Sequence, residues 1–323
     1  MLLVDDEDAG QRLDNFLMRQ LKGVPKTHIY RIIRSGEVRV NKGRAGAERR
    51  IVAGDQIRLP PVRTSERAGV KAQTIDDARV RGDFAPPREF PILFEDDVLV
   101  VIDKPAGVAV HGGSGVSFGV IEQLRMARPQ ARLLELVHRL DRETSGILLV
   151  AKKRSVLKNL QEQFRARETG KTYLAVAAGQ WPQRLKVLDK SLHKYLLADG
   201  ERRVKVVAHD HPDAMPSLSL VKVARQNRAY SLLEVTIKTG RTHQIRIHLA
   251  AEGMPIVGDD KYGDFALNKV LQRADAAVPL RRMFLHAWRL QFRHPGTGEA
   301  MQLQAELPSE LAHFLDHVLP DAH

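Results

Sequence analysis

Strand and helix signals run through this chain without settling into regular alternation, and that excludes a doubly wound parallel sheet. Short apolar runs flank turns. Ile92–Phe94 and Val98–Ile102 bracket Glu95-Asp96-Asp97, and Leu290–Phe292 and Met301–Leu303 bracket Pro295-Gly296-Thr297-Gly298. Both pairs read as hairpins. Leu133–Val137, Ile147–Ala151, Tyr173–Ala177 and Leu233–Ile237 read as further strands. Three helices are expected beside them. Ser117 caps one that carries Val120, Ile121 and Leu124. Ser155 caps another, with Val156, Leu157, Leu160 and Phe164, that ends near Gly170. Thr242 caps a third that runs to about Gly253. The expectation is an α+β chain whose main part, residues 90–323, holds a mixed, mostly antiparallel sheet flanked by helices.

Residues 1–62 form a separate small unit in this reading. Leu13, Phe16, Leu17 and Leu21 recur at helical spacing over residues 11–21, and Gly23 and Pro25 end that helix. A second helix opens at Lys26-Thr27. Ile29, Ile32 and Ile33 share one of its faces, Arg31 and Arg34 lie on the other, and Gly36 fits a left-handed stop. Val38-Arg39-Val40, Ile51-Val52 and Ile57-Arg58-Leu59 read as short strands, with turns at Asn41-Lys42-Gly43 and Ala53-Gly54-Asp55. Residues 63–89 are weakly periodic, contain Pro86-Pro87, and read as a linker.

The net charge is +12, and it is unevenly placed. Residues 10–63 hold 13 basic and 4 acidic side chains, so this stretch alone carries +9. A basic module on a nearly neutral body points to a polyanion, nucleic acid above all. Cysteine is absent, which excludes disulfides, thiolate metal sites and cysteine nucleophiles, and fits a reducing cytoplasm. No apolar run approaches the roughly 18–20 residues of a membrane helix, and the N-terminus is acidic, unlike a signal peptide.

Several suggestive patterns fail on their spacing. Gly170-Lys171-Thr172 lacks the first glycine of a phosphate loop, because position 165 is arginine. Gly112-Gly113-Ser114-Gly115 reads as a surface turn. His209 and His211 have no obvious third ligand, and no metal site is expected. Asp259 and Asp260 are adjacent, so they diverge and read as turn residues.

One polar loop stands apart: His138-Arg139-Leu140-Asp141-Arg142-Glu143-Thr144-Ser145-Gly146, between two apolar strands. Two later segments share its texture. Lys171-Thr172-Tyr173 opens a strand, and Thr239-Gly240-Arg241-Thr242-His243-Gln244-Ile245-Arg246 joins a strand to a helix. Arg241 falls at the N-terminal edge of that helix, where the dipole disfavours a cation and a carboxylate partner would offset the cost.

Together and in this order, the three motifs resemble the RluA/RluC/RluD group of pseudouridine synthases. Asp103-Lys104-Pro105-Ala106-Gly107 with Val110-His111 is similar to that group's first motif. The basic N-terminal unit resembles an S4 RNA-binding domain. Gln20–Lys26 and Val110–Gly115 resemble most the branch acting on large-subunit ribosomal RNA. The resemblance implies isomerisation of uridine to pseudouridine in RNA, with no cofactor. It implies Asp141 as the catalytic aspartate and Arg241 as the arginine that pairs with and orients it. It implies Tyr173 as the tyrosine packed on the target base, Arg139 as the group filling the gap left by a flipped uridine, and Ile245 as a pocket wall. Lys26, Arg31, Arg34, Arg39, Lys42 and Arg44 are the expected RNA contacts of the basic unit. RNA, not DNA or a membrane, is the expected partner of a monomer. The alternatives are a synthase acting on transfer RNA and a non-catalytic ribosome assembly factor.

Overall fold

The computed structural model describes residues 1–5, 8–21, 24, 26–61, 85–112, 118–197 and 201–320. They fall into two compact units, Met1–Pro86 with Lys153–Lys158, and Pro87–Lys152 with Asn159–His323. The helix break at Gly23 and Pro25, nearly all of the linker, the turn at Gly113–Gly115 and the Ser117 cap lie outside the described residues.

The first unit is small because its apolar residues recur at short, local intervals. It contains β1 (Leu2–Leu3), α1 (Leu13–Gln20), α2 (Lys26–Arg34), β2 (Arg39–Val40), β3 (Gly43–Arg44) and β4 (Gln56–Arg58). The strands pair in the order β1-β4-β2-β3. Leu13, Phe16 and Leu17 of α1 and Ile29, Ile32 and Ile33 of α2 bury against Val38, Val40, Ile51 and Ile57, as their spacing predicts. Gly36 takes φ 74 and ends α2 with amide bonds back to Ile33 and Ile32 from Gly36 and Glu37. Asn41 and Lys42 both take positive φ, which makes the two-residue turn between β2 and β3. Ile51-Val52 is not a strand: Ile51 is a buried core residue, while the isolated pairing there is Arg12 with Arg50. Asp14 and Asp55 are buried and internally bonded, Asp14 by Arg12 and Tyr30, Asp55 by Asn41 and the Val52 amide. Two of the module's few acids are thus withdrawn from its surface. Arg31, Arg34, Lys42 and Arg44 are exposed and Arg39 is half-buried; the Lys26 side chain lies outside the described residues.

The second unit is built on one long sheet. Its elements are β5 (Ile92–Glu95), β6 (Leu99–Lys104), α3 (Val120–Ala127), β7 (Glu135–Leu136), β8 (Ser145–Ala151), α4 (Arg154–Arg165, with residues 154–158 grouped in the first unit), β9 (Gly170–Ala178), β10 (Val187–Leu196), β11 (Arg202–Val207), β12 (Met215–Gln226) and β13 (Tyr230–Ile237). α5 (Gln244–Ala251), α6 (Phe265–Leu271), β14 (Leu285–Arg293), β15 (Ala300–Gln304) and α7 (Ser309–Val318) complete it. The strand order is β11-β10-β12-β13-β9-β14-β8-β6-β5, with β15 beside β14 and β7 beside β8. Among the described residues only β14 and β8 run parallel. The expected hairpins β5–β6 and β14–β15 are present. No element was expected between residues 178 and 232; β10, β11 and β12 come from that stretch and form one end of the sheet.

Two caps differ from expectation. Ser155 lies inside α4, which starts at Arg154. His243, not Thr242, is the N-cap of α5, and it stands in a left-handed conformation with φ 53.

The parallel β8–β14 pair depends on Gly146, which closes the 138–146 loop. It takes φ 107, and a Cβ there would lie 2.3 Å from the Ala287 carbonyl oxygen. Only glycine permits both the conformation and the approach. Residues 145 and 286 are thereby brought together, and a buried Ser145–His286 bond of 2.9 Å sits at the join. Two apolar clusters pack this unit: one holds Val100, Ile102 and Leu148 with Leu140 of the loop, the other Val176, Leu233, Ile245 and Phe284.

Candidate active site

The three motifs line a single cavity of about 820 Å³ in the second unit. The 138–146 loop, the start of β9 and the start of α5 supply its walls, and α4 adds Gln161, Phe164 and Arg165. Asp141, Arg139, Tyr173, Arg241 and Ile245 all line it, so chain segments a hundred residues apart converge as the motifs predicted.

The loop carrying Asp141 is held from several sides. The Asp141 carbonyl accepts the Thr144 amide at 3.1 Å, closing a turn. Arg282 donates to Ser145 Oγ at 2.8 Å and to the Glu143 carbonyl. His138 accepts the Leu149 amide through Nε2 at 3.1 Å and stacks on Phe164. Burial, with Lys171 adding to it, pulls His138 down to about 3, so it is a neutral acceptor.

Lys104 is the innermost clamp. It is fully buried, and its Nζ donates to the carbonyls of Pro105 (2.8 Å), Val108 (2.8 Å) and Arg142 (3.0 Å), tying β6 and its turn to the loop. Burial, then Arg282, pulls its amine down to about 7, against the carboxylates of Glu143, Asp141 and Asp103. Lys104→Met leaves the Pro105 and Val108 carbonyls without this donor, a cost of about 2–4 kcal/mol. The urea midpoint should fall with an unchanged denaturant slope. The pH dependence has a definite sign. Between about 7 and the ordinary 10.5 the unfolded chain holds the Lys104 proton, and the folded chain releases it and keeps two N–H donors for the three carbonyls. Wild-type stability therefore rises with pH across that window, and the variant lacks this rise. A midpoint equal to wild type across this range would rule out the clamp.

The guanidinium that meets Asp141 is Arg246, not Arg241. Arg246 Nη1 lies 3.3 Å from Asp141 Oδ2. Its other nitrogens fork onto Asp259, with Nε to Oδ2 and Nη2 to Oδ1 both at 2.7 Å. Arg241 is exposed and its Nε donates to the Pro216 carbonyl at 3.2 Å. The reason is position relative to α5. Arg241 precedes the helix in an open turn, where water screens its charge from the dipole. Arg246 lies in the first turn of a helix whose residues Gln244–Leu249 are all buried. The cue in the sequence was an arginine between Ile245 and Ile247, since an arginine in an apolar helix face must find an acid.

Asp259 is that acid, and the turn reading understated it. Asp259 and Asp260 do diverge: the Asp259 side chain is 0% exposed and that of Asp260 is 74% exposed. Burial alone would raise Asp259, but the Arg246 hydrogen bonds and charge, with the Lys261 and Tyr262 amides, hold it below the usual carboxylate range. Burial likewise opposes the Arg246 charge, yet Asp259 and then Asp141 raise its pKa above the ordinary arginine value.

Gln244 fixes the start of α5. Its Oε1 accepts from Thr239 Oγ1 and the Arg241 amide, and its Nε2 donates to the Leu218 carbonyl and Ser219 Oγ. Tyr173 is half-buried on β9, opposite Val235 and Ala287. Burial, and then the Asp141 charge, push its phenol well above the ordinary tyrosine value. Arg139 is exposed at the cavity, and Ile245 is a buried wall residue. Of the two histidines considered as ligands, His209 bonds Ser191 Oγ, and His211 groups with His193 and Asp213, whose side chain is 72% exposed.

This is a cavity built around an arginine-held carboxylate, beside a neutral tyrosine, on a mostly antiparallel sheet. Residues 98–251 match the RNA pseudouridylate synthase family, and residues 11–57 match the S4 domain. The chain belongs to the RNA pseudouridylate synthase family, whose enzymes isomerise uridine to pseudouridine in RNA. It is 48% identical to ribosomal large subunit pseudouridine synthase C of Yersinia pestis over 98% of this chain and 94% of that protein. The Escherichia coli K12 protein of the same name is 48% identical over 98% of this chain and 95% of its own. Among solved structures, human RNA pseudouridylate synthase domain containing 4 superposes with a TM-score of 0.58 at 26% identity. That match covers 77% of this chain and 97% of the human one. Among the described residues no helix is long and apolar enough to cross a membrane.

Proposed function

We propose that this enzyme isomerises particular uridines of large-subunit ribosomal RNA, with Asp141 as its catalytic carboxylate. The observation that carries the reading is the placement of Asp141: its carboxylate is 26% exposed, lines the cavity, and meets a guanidinium that is itself locked by a buried acid. The reaction breaks the N1–C1′ bond, turns the uracil, and joins C5 to C1′; C5 loses a proton and N1 gains one. A carboxylate serves by attacking C1′ or by taking the C2′ proton. Arg246 orients that carboxylate, the role first expected of Arg241. Tyr173 packs against the base. With its phenol raised by burial it holds its proton at neutral pH, and it needs a partner base to remove the C5 proton.

The target base must leave its stack to reach the cavity, at a cost of a few kcal/mol. Arg139, exposed at the cavity, fills the space it leaves, and Ile245 walls the pocket. The exposed Arg31, Arg34, Lys42 and Arg44, with Lys26 and Arg39, bind phosphates of a folded RNA. The names of the relatives above support large-subunit ribosomal RNA as the substrate. The enzyme acts as a monomer in the cytoplasm, on RNA and not DNA.

The test is a map of pseudouridines in ribosomal and transfer RNA from cells with and without this gene. Loss of sites confined to large-subunit ribosomal RNA, restored by the intact gene, is expected. Sites lost from transfer RNA alone, or from neither, would overturn the substrate assignment.

A further inference from the structure

Asp141 has a second neighbour. His243 Nε2 stands 4.0 Å from Asp141 Oδ2, the same oxygen that Arg246 approaches. That is about 1 Å beyond hydrogen-bond distance. One hydrogen bond bears on the tautomer of this imidazole. Its Nδ1 lies 2.9 Å from the Tyr262 hydroxyl. That hydroxyl also accepts the Val204 amide at 3.1 Å, and its one proton is available to His243 Nδ1. The neutral ring then carries its hydrogen on Nε2, facing Asp141. Burial, opposed in part by Asp141, lowers the His243 pKa and favours this neutral form.

The surroundings hold the ring in place. Tyr262 is fixed by its amide bond to Asp259 Oδ1 and by Arg246 stacking over its ring, with Cζ 5.1 Å from the centroid. Asp259 therefore anchors both of Asp141's neighbours, Arg246 directly and His243 through Tyr262. His243 itself stands at φ 53, an uncommon conformation for a residue with a Cβ, at the N-cap of α5 without making a side-chain cap bond. Non-glycine residues in such conformations cluster at functional sites.

We propose that His243 is a positioning residue: held in its Nε2–H tautomer by Tyr262, it points that hydrogen at Asp141 Oδ2 from 4.0 Å, closes to hydrogen-bond distance when RNA is bound and, with Arg246, fixes the carboxylate in one orientation toward the ribose. This rests on Asp141 being the catalytic carboxylate. The two donors converge on one oxygen and leave Oδ1 for the substrate.

The test compares the full-length protein with its His243→Phe, His243→Gln and Tyr262→Phe variants. Single-turnover rates are measured at saturating RNA, with RNA affinity measured separately. His243→Phe removes the donor and should slow the chemical step about 10- to 100-fold, the worth of a hydrogen bond to a charged group. RNA affinity should be unchanged. His243→Gln bears the same backbone strain but puts an amide N–H near the Nε2 position, and should recover most of that loss. Tyr262→Phe should slow the step less, by about 3- to 10-fold, through a mixed tautomer population. Nitrogen-15 spectra of histidine-labelled protein, with the signal assigned by the Gln variant, should show a protonated Nε2 and a bare Nδ1 in wild type, mixed in Tyr262→Phe. A wild-type rate for His243→Phe, equal losses in Phe and Gln, or a ring protonated on Nδ1 would each overturn the proposal. Asp141→Asn is the control: activity in that variant would refute the reading of Asp141 itself, whatever His243 does.

Discussion

Asp141→Asn should abolish pseudouridine formation and leave the RNA affinity near that of wild type. The substitution changes one oxygen for an NH₂ and keeps the volume. An amide neither attacks C1′ nor accepts the C2′ proton, so both routes stop, and the single-turnover rate should fall by about 10⁴-fold or more. The fold should survive. Arg246 keeps its two 2.7 Å bonds to Asp259, and the turn that carries residue 141 is closed by its carbonyl, not its side chain. Because the Asp141 side chain is 26% exposed, its loss should cost less than about 1 kcal/mol of stability. Tritium release from RNA labelled at uridine C5 measures the chemistry, and filter binding measures the affinity. A rate within about tenfold of wild type would remove Asp141 from the mechanism.

Arg246→Met should harm both folding and chemistry. It strips the guanidinium from Asp259, whose side chain is 0% exposed, and an uncompensated buried carboxylate costs about 3–5 kcal/mol. The pH profile of stability should change sign in the acid range. In wild type Asp259 is held low, so its contribution is present above the unfolded pKa and fades as pH falls through the folded value. In the variant burial acts with less opposition and the folded pKa rises above the unfolded one. The folded state then binds the proton more tightly, and stability falls as pH rises between the two. Asp259→Asn in the Arg246→Met background should restore most of the stability by removing that charge, but not the rate, since Asp141 still lacks its guanidinium partner. Arg241→Met is the contrast. Arg241 is exposed, and among the described residues its side chain bonds only the Pro216 carbonyl, so stability should stay within about 0.5 kcal/mol and the rate near wild type. If Arg241→Met stops the chemistry and Arg246→Met does not, the assignment of the two arginines is reversed.

Only one of these two arginines was singled out in the sequence, and the choice fell on the wrong one for a physical reason. They lie five positions apart in one motif. The helix-dipole argument favoured Arg241 because it treats that charge as if it had nowhere else to go. In the fold it reaches a strand carbonyl and water. The partner of Asp141 was set by which residue of α5 points inward, and by an aspartate at 259 that supports it from below. The same applies to His243. Its Tyr262 partner comes from a segment beyond the helix, and its left-handed backbone breaks the usual pattern of an extended N-cap.

What the sequence determined by itself was local. Periodic apolar residues set α1 and α2, and Gly36 and the Asn41-Lys42 turn set their stops and reversals, because each depends on neighbours within a few positions. The hairpins β5–β6 and β14–β15 were readable for the same reason. The 138–146 loop and Tyr173 were legible because a polar run between apolar strands, and a motif order, survive without coordinates. What the tertiary structure decided was every contact made across long stretches of chain. The parallel pairing of β8 with β14 places Ser145 beside His286. The neighbours of Asp141, Arg246 and His243, come from the start of a helix a hundred residues on, and the acid that holds Arg246 comes from the turn after it. Residue spacing carries a helix face or a turn, but a buried charge takes whichever opposite charge the finished fold delivers to it, and that is set by packing and not by sequence distance.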